Sequence, residues 1–239
     1  MGKVYLIASG KGGTGKSVFA SNMGALLAAQ GKRVVLVDTD MGLRTLDIYM
    51  GLESKVVYNV YDVLSGLCRI KQALVRDKRF ESLYLMAAAP NRRDDRITPL
   101  HMQVLCRRLS EQFDYVIVDA PAGIDEGFFL AAAGAEKAVL VTTPEYSAVR
   151  DAEKVDQVLA ERGIADRGFI INKVKPELIA SGAVPSVAEI SGMLRIPLLG
   201  IIQYDDNIHI AANNGVPVVL KKDTYIYQNF ERITERIVG

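Results

Sequence analysis

The sequence predicts an α/β fold in which a mostly parallel central sheet is flanked by helices on both faces, giving three layers. Short apolar runs alternate with amphipathic stretches along the chain. The runs are apolar almost without interruption, which is typical of strands covered on both faces. A glycine-rich segment joins the first run to the first amphipathic stretch. Strands and helices in alternation form parallel sheets through right-handed crossovers.

The predicted elements follow one another from the first residues of the chain. Apolar runs indicate strands at residues 3–8, 33–38, 83–87, 115–120, 138–143, 168–172 and 198–202. Helical periodicity indicates helices at residues 16–30, 100–112, 149–162 and 226–238. Ligands of such folds bind beyond the carboxyl ends of the strands, so we expect functional residues in the loops that follow them.

Composition and charge limit the classes of protein to consider. With 239 residues and 49% hydrophobic content, the chain is predicted to form one domain over residues 1–239. Its net charge of +1 gives no electrostatic reason to expect a nucleic-acid or membrane partner. Cys68 and Cys106 suggest neither a disulfide framework nor a metal-ligand pair, so we expect buried apolar cysteines and a cytoplasmic location. We expect no secretory signal and no membrane span.

The stretch "SGKGGTGKS", residues 9–17, carries the first functional motif. Gly10, Gly15, Lys16 and Ser17 satisfy G-x-x-x-x-G-K-[ST], between a predicted strand and a predicted helix. This context predicts a phosphate-binding loop, the P-loop, and hence a P-loop NTPase fold. Backbone N–H groups and the helix N-terminus would hold phosphate, Lys16 would reach the β- and γ-phosphates, and Ser17 would bind Mg²⁺. The alternative is a glycine-rich turn with a solvated lysine.

Three aspartates lie at the ends of predicted strands or just beyond them. Asp119 ends the run "YVIVD" and takes the place of a Walker B carboxylate, which holds Mg²⁺ and its waters. Asp38 ends the run "RVVLVD" and is a second candidate metal ligand. Asp40 is placed to orient or polarise the water that attacks the γ-phosphate. The alternatives are that strand-terminal aspartates cap the next helix and that Asp40 stabilises a turn beside Gly42.

The stretch "INKVKPE", residues 171–177, bears on the choice of base. Guanine-specific GTPases use N-K-x-D, in which the aspartate accepts hydrogen bonds from guanine. Here Lys175 occupies the fourth position, and a lysine cannot accept those bonds. The sequence therefore favours ATP over GTP.

Four stretches resemble the MinD/ParA family of ATPases, whose deviant Walker A motif has a second lysine. They are "KGGTGKS", "DTDMGLRTLDIYMGLE", "FDYVIVDAPAGID" and "TTPEYSAVRDAEKV". The resemblance extends from residue 3 to about residue 239 and is closer to the MinD members than to their relatives. Thr45 stands where many members have asparagine, and Gln203 stands where proline is usual.

The resemblance implies roles for three further residues. Lys11 would cross an ATP-sandwich dimer and contact the phosphates of the other subunit, as an arginine finger does. Asn172 would contact the base, although a polar residue capping a strand end is the alternative. Asp151 would start a helix that responds to nucleotide and meets partners, although it could be a first-turn helix aspartate.

These inferences combine into a set of candidate site residues. The candidate catalytic residues are Lys11, Lys16 and Asp40. The candidate nucleotide-binding residues are Gly10, Lys11, Gly12, Gly13, Thr14, Gly15, Lys16, Ser17, Val18 and Asn172. The candidate metal ligands are Ser17, Asp38 and Asp119, and the candidate partner or switch residue is Asp151.

The resemblance also implies a function. Members of this kind hydrolyse ATP with Mg²⁺, form a homodimer on ATP, and place the division site with a MinC-type inhibitor and a MinE-type or topological-specificity partner. The alternative is a ParA-like partition or flagellar-placement ATPase. An iron–sulfur scaffold would need paired cysteines, and a biosynthetic ligase would need a substrate pocket that the sequence does not identify.

The last predicted helix bears on membrane binding. MinD members usually continue into an amphipathic membrane-targeting helix, whereas this sequence ends at "YIYQNFERITERIVG". Ile226, Phe230, Ile233 and Ile237 recur at helical spacing, and the opposite face has balanced charge. We expect this apolar stripe to pack on the sheet and doubt direct membrane binding. A peripheral position at the inner face of the cell membrane would then depend on a tail or a partner.

Several charged residues have simpler interpretations. His101 and His209 have no metal-ligand spacing and are expected to be ordinary residues. The basic stretch 69–79 lacks interleaved aromatic residues, so we do not expect nucleic-acid binding there. Residues 91–96, "NRRDDR", are expected to form a solvated loop.

Overall fold

A computed structural model describes residues 1–41, 43–90 and 97–239 of the chain. The loop expected at residues 91–96 lies outside these ranges, as does Gly42. Eight strands of the described residues form one sheet. In chain order they are β1 (Lys3–Ala8), β2 (Val34–Asp38), β3 (Val75–Arg76), β4 (Leu83–Met86), β5 (Tyr115–Asp119), β6 (Lys137–Thr142), β7 (Asp166–Val174) and β8 (Leu198–Gln203).

The sheet is parallel except at one edge. Its spatial order is β3-β4-β2-β5-β1-β6-β7-β8, and only the pairing of β3 with β4 is antiparallel within the described ranges. The mostly parallel sheet is therefore confirmed. The two-residue strand β3 was not predicted, because so short an edge strand leaves no apolar run in the sequence.

Helices cover both faces of the sheet. The helices of the described ranges are α1 (Lys16–Ala29), α2 (Leu46–Tyr49), α3 (Val60–Leu64), α4 (Ile70–Ala73), α5 (Pro99–Ser110), α6 (Glu126–Ala132), α7 (Tyr146–Glu161), α8 (Pro176–Ala180), α9 (Val187–Leu194), α10 (Asp206–Asn213) and α11 (Tyr225–Val238). The four long predicted helices are present with small shifts at their ends. The missed helices are four to eight residues long, too short for a clear apolar period.

Alternate residues of the central strands supply two separate cores. Leu6 of β1 belongs to the core that faces α5, α6, α7 and α9. Tyr5 and Ile7 belong to the core that faces α1 and α11. This alternation follows from the period of two along a strand, and it confirms the three-layer arrangement.

The last helix packs as expected. Ile226, Phe230, Ile233 and Ile237 of α11 are all buried, and the helix contacts α1 and β8. The ring of Phe230 stacks on Phe19 of α1 with centroids 5.9 Å apart. Across the described residues, no helix combines the length and apolar character needed to cross a membrane.

The cysteines fit the expectation in part. Both are free thiols. Cys106 is buried in the core, as expected, and burial raises the pKa of its thiol to about 12. Cys68 is only half-buried, because the turn that follows α3 leaves it at the edge of the core, so the expectation of two buried cysteines was wrong.

Candidate functional site

A cleft of about 640 Å³ opens at the carboxyl edge of the sheet. Its walls come from the P-loop, from the loops after β2 and β5, from the end of β7, and from the segment that runs from β8 into α10. The predicted site residues that line it are Gly12, Gly13, Gly15, Lys16, Ser17, Val18, Asp40 and Asn172. The cleft therefore collects most of the P-loop together with residues that lie more than 150 positions away.

Strand register brings two of the aspartates together. Asp38 of β2 pairs with Asp119 of β5, and Asp119 also pairs with Ile7 of β1. The P-loop follows β1 directly, so both carboxylates lie at its base. Asp38 and Asp119 are fully buried.

Lys16 occupies the centre of the acidic group. Its ammonium Nζ lies 3.0 Å from Asp40 Oδ2 and 3.7 Å from Asp119 Oδ1. It also donates to the hydroxyl of Ser17 over 3.3 Å. Lys16 and Asp40 are both buried, so this ion pair is shielded from solvent. The solvated-lysine alternative for the P-loop was wrong for this reason.

The pKa values reflect this crowded, buried group. Burial alone would lower the pKa of Lys16, but the charges of Asp119 and Asp40 outweigh it and raise that pKa. Burial, followed by the charge of Asp119, raises the pKa of Asp38. Burial also raises the pKa of Asp119, and Lys16 opposes the shift. Neighbouring buried carboxylates favour a bound cation, because each one disfavours the ionised form of the other.

Asp119 and Ser17 fit a magnesium ion better than Asp38 does. Both carboxylate oxygens of Asp119 are buried and have no hydrogen-bond partner among the described residues. Asp38 Oδ1 and Oδ2 instead accept the backbone N–H groups of Asp40 and Leu46, at 2.9 and 3.1 Å. Mg²⁺ usually keeps several waters and takes only one or two carboxylates besides substrate phosphates, which suits this donor set.

Asp38 organises the loop that carries Asp40. Its bond to the N–H of Asp40 spans two residues, the pattern of an Asx turn, and its bond to Leu46 reaches the first residue of α2. The turn-forming aspartate is therefore Asp38, whereas Asp40 directs its carboxylate to Lys16. Thr45, the residue before α2, donates its hydroxyl to Ser17 over 3.5 Å.

Asn172 and Lys173 brace the P-loop from β7. The amide of Asn172 donates to Thr14 O over 2.7 Å, and its oxygen accepts the N–H of Lys173. Lys173 has a left-handed backbone with φ of 57°, and its ammonium donates to Gly13 O over 2.7 Å. A Cβ at Gly15, whose φ is 94°, would overlap the Asn172 amide, so only glycine allows this approach. Asn172 thus supports the loop, and its predicted contact with the base remains a prediction.

Lys11 lies on the outer side of the P-loop. Its ammonium is 3.1 Å from Glu145 Oε2 and 3.5 Å from Ser147 Oγ, at the start of α7. The side chain of Lys11 is 47% exposed, so it is accessible to a second molecule. Its predicted role across a dimer is not tested by these contacts.

Asp151 lies on α7 behind the P-loop. It is the sixth residue of α7, so the predicted position at the start of the helix and the alternative of a first-turn aspartate were both wrong. A Cβ at Gly10 would overlap the backbone of Asp151, so the P-loop backbone and α7 are in close contact here. A movement of the P-loop at Gly10 would therefore act directly on α7.

The far end of the cleft is polar and aromatic. Gln203 ends β8, Tyr204 and Asp205 follow it, and the three line this end with His209 of α10. The ammonium of Lys175 lies 4.6 Å from the centroid of the Tyr204 ring, so a cation rather than a carboxylate stands there. Lys173 and His209 were not predicted as site residues, although the "NK" pair was a usable clue for Lys173.

The comparisons with known proteins agree with this geometry. The family model "CobQ/CobB/MinD/ParA nucleotide binding domain" matches residues 5–218. The septum site-determining protein MinD of Synechocystis sp. is 44% identical over 240 residues, covering 100% of this chain and 90% of that protein. The chain therefore covers nearly all of this relative.

Solved structures give the same result. The MinC:MinD cell division protein complex of Aquifex aeolicus matches with a TM-score of 0.90 and 37% identity, covering 99% of this chain and 96% of that one. MinD of Pyrococcus horikoshii, complexed with Mg-ADP, matches with a TM-score of 0.88 and 29% identity over the same shares. A putative plasmid partition protein of Borrelia burgdorferi is only 18% identical at a TM-score of 0.82, which shows the fold alone.

Proposed function

Since the chain belongs to the MinD family, within the CobQ/CobB/MinD/ParA nucleotide-binding proteins, we propose that it is an ATP-hydrolysing switch that helps to place the division site. The observation that carries the proposal is the buried group of Lys16, Asp40 and Asp119 at the base of the P-loop. In this group Lys16 is the cation for the phosphates, Asp40 is the carboxylate for the attacking water, and Asp119 is the carboxylate for the metal ion. We also propose that residues 1–239 form one domain.

Each residue of the site has a separate role in the proposed hydrolysis. P-loop N–H groups and Lys16 hold the β- and γ-phosphates, which replace Asp40 as the partner of Lys16. Asp40 then accepts a hydrogen bond from the attacking water and directs it at phosphorus. Ser17 and Asp119 would hold Mg²⁺, and Asp38 fixes the loop that carries Asp40. When bound, Mg²⁺ neutralises charge that develops on the phosphate oxygens.

Asp40→Asn is expected to bind ATP at least as tightly as the parent while hydrolysing it roughly 100-fold more slowly, the usual scale for a lost general base. Asp40 competes with phosphate for Lys16 at 3.0 Å, so removing its charge releases the lysine. Calorimetric binding and single-turnover phosphate release measure the two effects. Asp125→Asn is the matched control, since Asp125 lines the cleft but caps α6, a role that asparagine fills equally well. Parental turnover in Asp40→Asn would contradict the assignment.

We expect ATP to bind in preference to GTP, and we expect Lys175→Asp to reduce that preference. The substitution completes N-K-x-D by placing an acceptor where guanine presents its donors. Lys175→Ala is the control, because it removes the contact with Tyr204 without adding an acceptor. Equilibrium competition between ATP and GTP measures the change. Equal competition by GTP in the parent would refute the argument from Lys175.

The partner proposal follows the named relatives. We infer that ATP produces a homodimer, and that this dimer binds a MinC-type inhibitor and a MinE-type or topological-specificity partner at a surface that includes Asp151 of α7. A location in the cytoplasm, with recruitment to the membrane by a tail or partner, follows from the same proposal. Capture of partners on immobilised protein, compared in ATP and ADP, tests it. Binding that is equal in the two nucleotides would contradict a switch.

A further inference from the structure

One arginine outside the P-loop joins the two walls of the cleft. The guanidinium of Arg79 donates from Nη2 to Met50 O over 2.6 Å and from Nη1 to Gly215 O over 2.9 Å. Met50 directly follows α2, and Gly215 lies two residues beyond α10. These acceptors lie 29 and 136 positions from Arg79 in the sequence. Both are carbonyls at helix C-terminal ends, which carry partial negative charge and lack helical partners.

A buried carboxylate fixes the arginine in place. Asp77, whose side chain is 2% exposed, accepts from Nε and Nη2 of Arg79 at 2.6 to 3.2 Å and also from its backbone N–H. Asp77 thus holds one edge of the planar guanidinium of Arg79, and the other edge faces the ends of the two helices. A lysine would keep the charge but could not make this pattern of bonds.

The two helix ends that Arg79 joins are in close contact. Gly51 and Gly215 both have left-handed backbones, with φ of 59° and 64°. A Cβ added at Gly215 would lie 2.7 Å from Gly51 Cα and 3.0 Å from Ile48 O. Both helices line the cleft, through Tyr49 of α2 and His209 of α10.

We propose that Arg79 is a positioning residue for nucleotide binding, because it holds the α2 wall, which follows the Asp40 loop, at a fixed spacing from the α10 wall at the far end of the cleft. α2 begins at the Leu46 N–H that Asp38 binds, so its position is tied to the catalytic loop. α10 follows the Tyr204 segment at the far end of the cleft. A nucleotide that spans both walls needs them in one arrangement. The proposal rests on the proposed binding of ATP.

Arg79→Lys is expected to raise the ATP dissociation constant about tenfold, on the scale of ordinary coupling between sites. Arg76→Lys, on the exposed edge strand β3, is the matched control and should bind as the parent does. Calorimetry is performed well below the unfolding temperature of each variant, so that a loss of stability alone leaves the dissociation constant unchanged. Equal ATP affinity in Arg79→Lys and the parent would overturn the proposal, whereas failure of the parent to bind ATP would refute the proposed function instead.

A second pair of variants tests the same contact without changing Arg79. Gly215→Ala forces the two helix ends apart, while Gly182→Ala has a similar φ of 71° and no atom within 4 Å of the added Cβ. In both variants alanine is strained by the left-handed backbone, but only Gly215→Ala is expected to weaken ATP binding.

A mutant cycle separates positioning from simple folding. The effects of Tyr49→Ala and His209→Ala on ATP affinity should be coupled in the parent and additive in Arg79→Lys, since the two walls then move independently. Additive effects in the parent, or equal affinities in the two glycine variants, would refute the proposal.

Discussion

Lys16→Ala is expected to bind ATP roughly 100-fold or more weakly than the parent. This is the scale for removing one partner of a buried charge pair. Lys16 supplies the cation on the β- and γ-phosphates, and the ion pairs at 3.0 and 3.7 Å place that cation where Asp40 and Asp119 converge. Its loss also leaves these carboxylates without a positive neighbour, so the variant should be less stable as well. Calorimetric titration with ATP and Mg²⁺ measures the affinity.

Two controls separate binding from folding. Lys32→Ala removes an exposed lysine next to β2, at the opposite edge of the sheet, and should bind ATP as the parent does. The double variant Lys16→Ala with Asp40→Asn removes both partners of the closer ion pair, so it should recover stability without recovering affinity. Tight ATP binding by folded Lys16→Ala would show that the P-loop assignment is wrong.

The fold was predictable because its strands are continuous apolar runs that alternate with helical periods. The same runs placed Asp38 and Asp119 at strand ends, and the P-loop motif named the residues around Lys16. What the sequence could not supply is the register between β2 and β5, which puts Asp38 beside Asp119. Without that register, the bond from Lys16 to Asp40 could not be predicted, since it joins residues 24 positions apart.

The missed residues act through backbone atoms, which leave no sequence pattern. Arg79 ends the basic stretch 69–79, which was considered only as a nucleic-acid site, and its partners are carbonyls far along the chain. Lys173 donates to the carbonyl of Gly13 in the P-loop. Its own backbone is left-handed, a conformation that lysine rarely adopts. Asp38 was assigned to the metal from its position, whereas its bonds to two N–H groups give it a role in shaping the loop.

Lys11→Ala is expected to bind ATP as a monomer, while the parent forms a dimer. Lys11 lies outside the cleft lining, so its loss leaves the nucleotide contacts of its own subunit intact. Its exposed ammonium is placed to reach a second subunit, where a cation supplied to the transferring phosphoryl accelerates hydrolysis by roughly 1,000-fold or more in comparable enzymes. Because Lys11→Ala should not form the dimer, its rate of ATP hydrolysis should fall as well. Light scattering coupled to size exclusion, in an Asp40→Asn background that preserves ATP, measures the oligomeric state.

Glu145→Gln is the control that decides the interpretation of Lys11→Ala. It removes the same ion pair at 3.1 Å but keeps the cation, so it should still dimerise with ATP if Lys11 acts across the interface. If the ion pair instead shapes the start of α7, both variants should lose the dimer together. The pair is largely exposed, and exposed ion pairs contribute only about 0–1 kcal/mol, so we expect its loss alone to matter little. A dimer formed by Lys11→Ala that hydrolyses ATP at the parental rate would show that the second lysine has no role in trans.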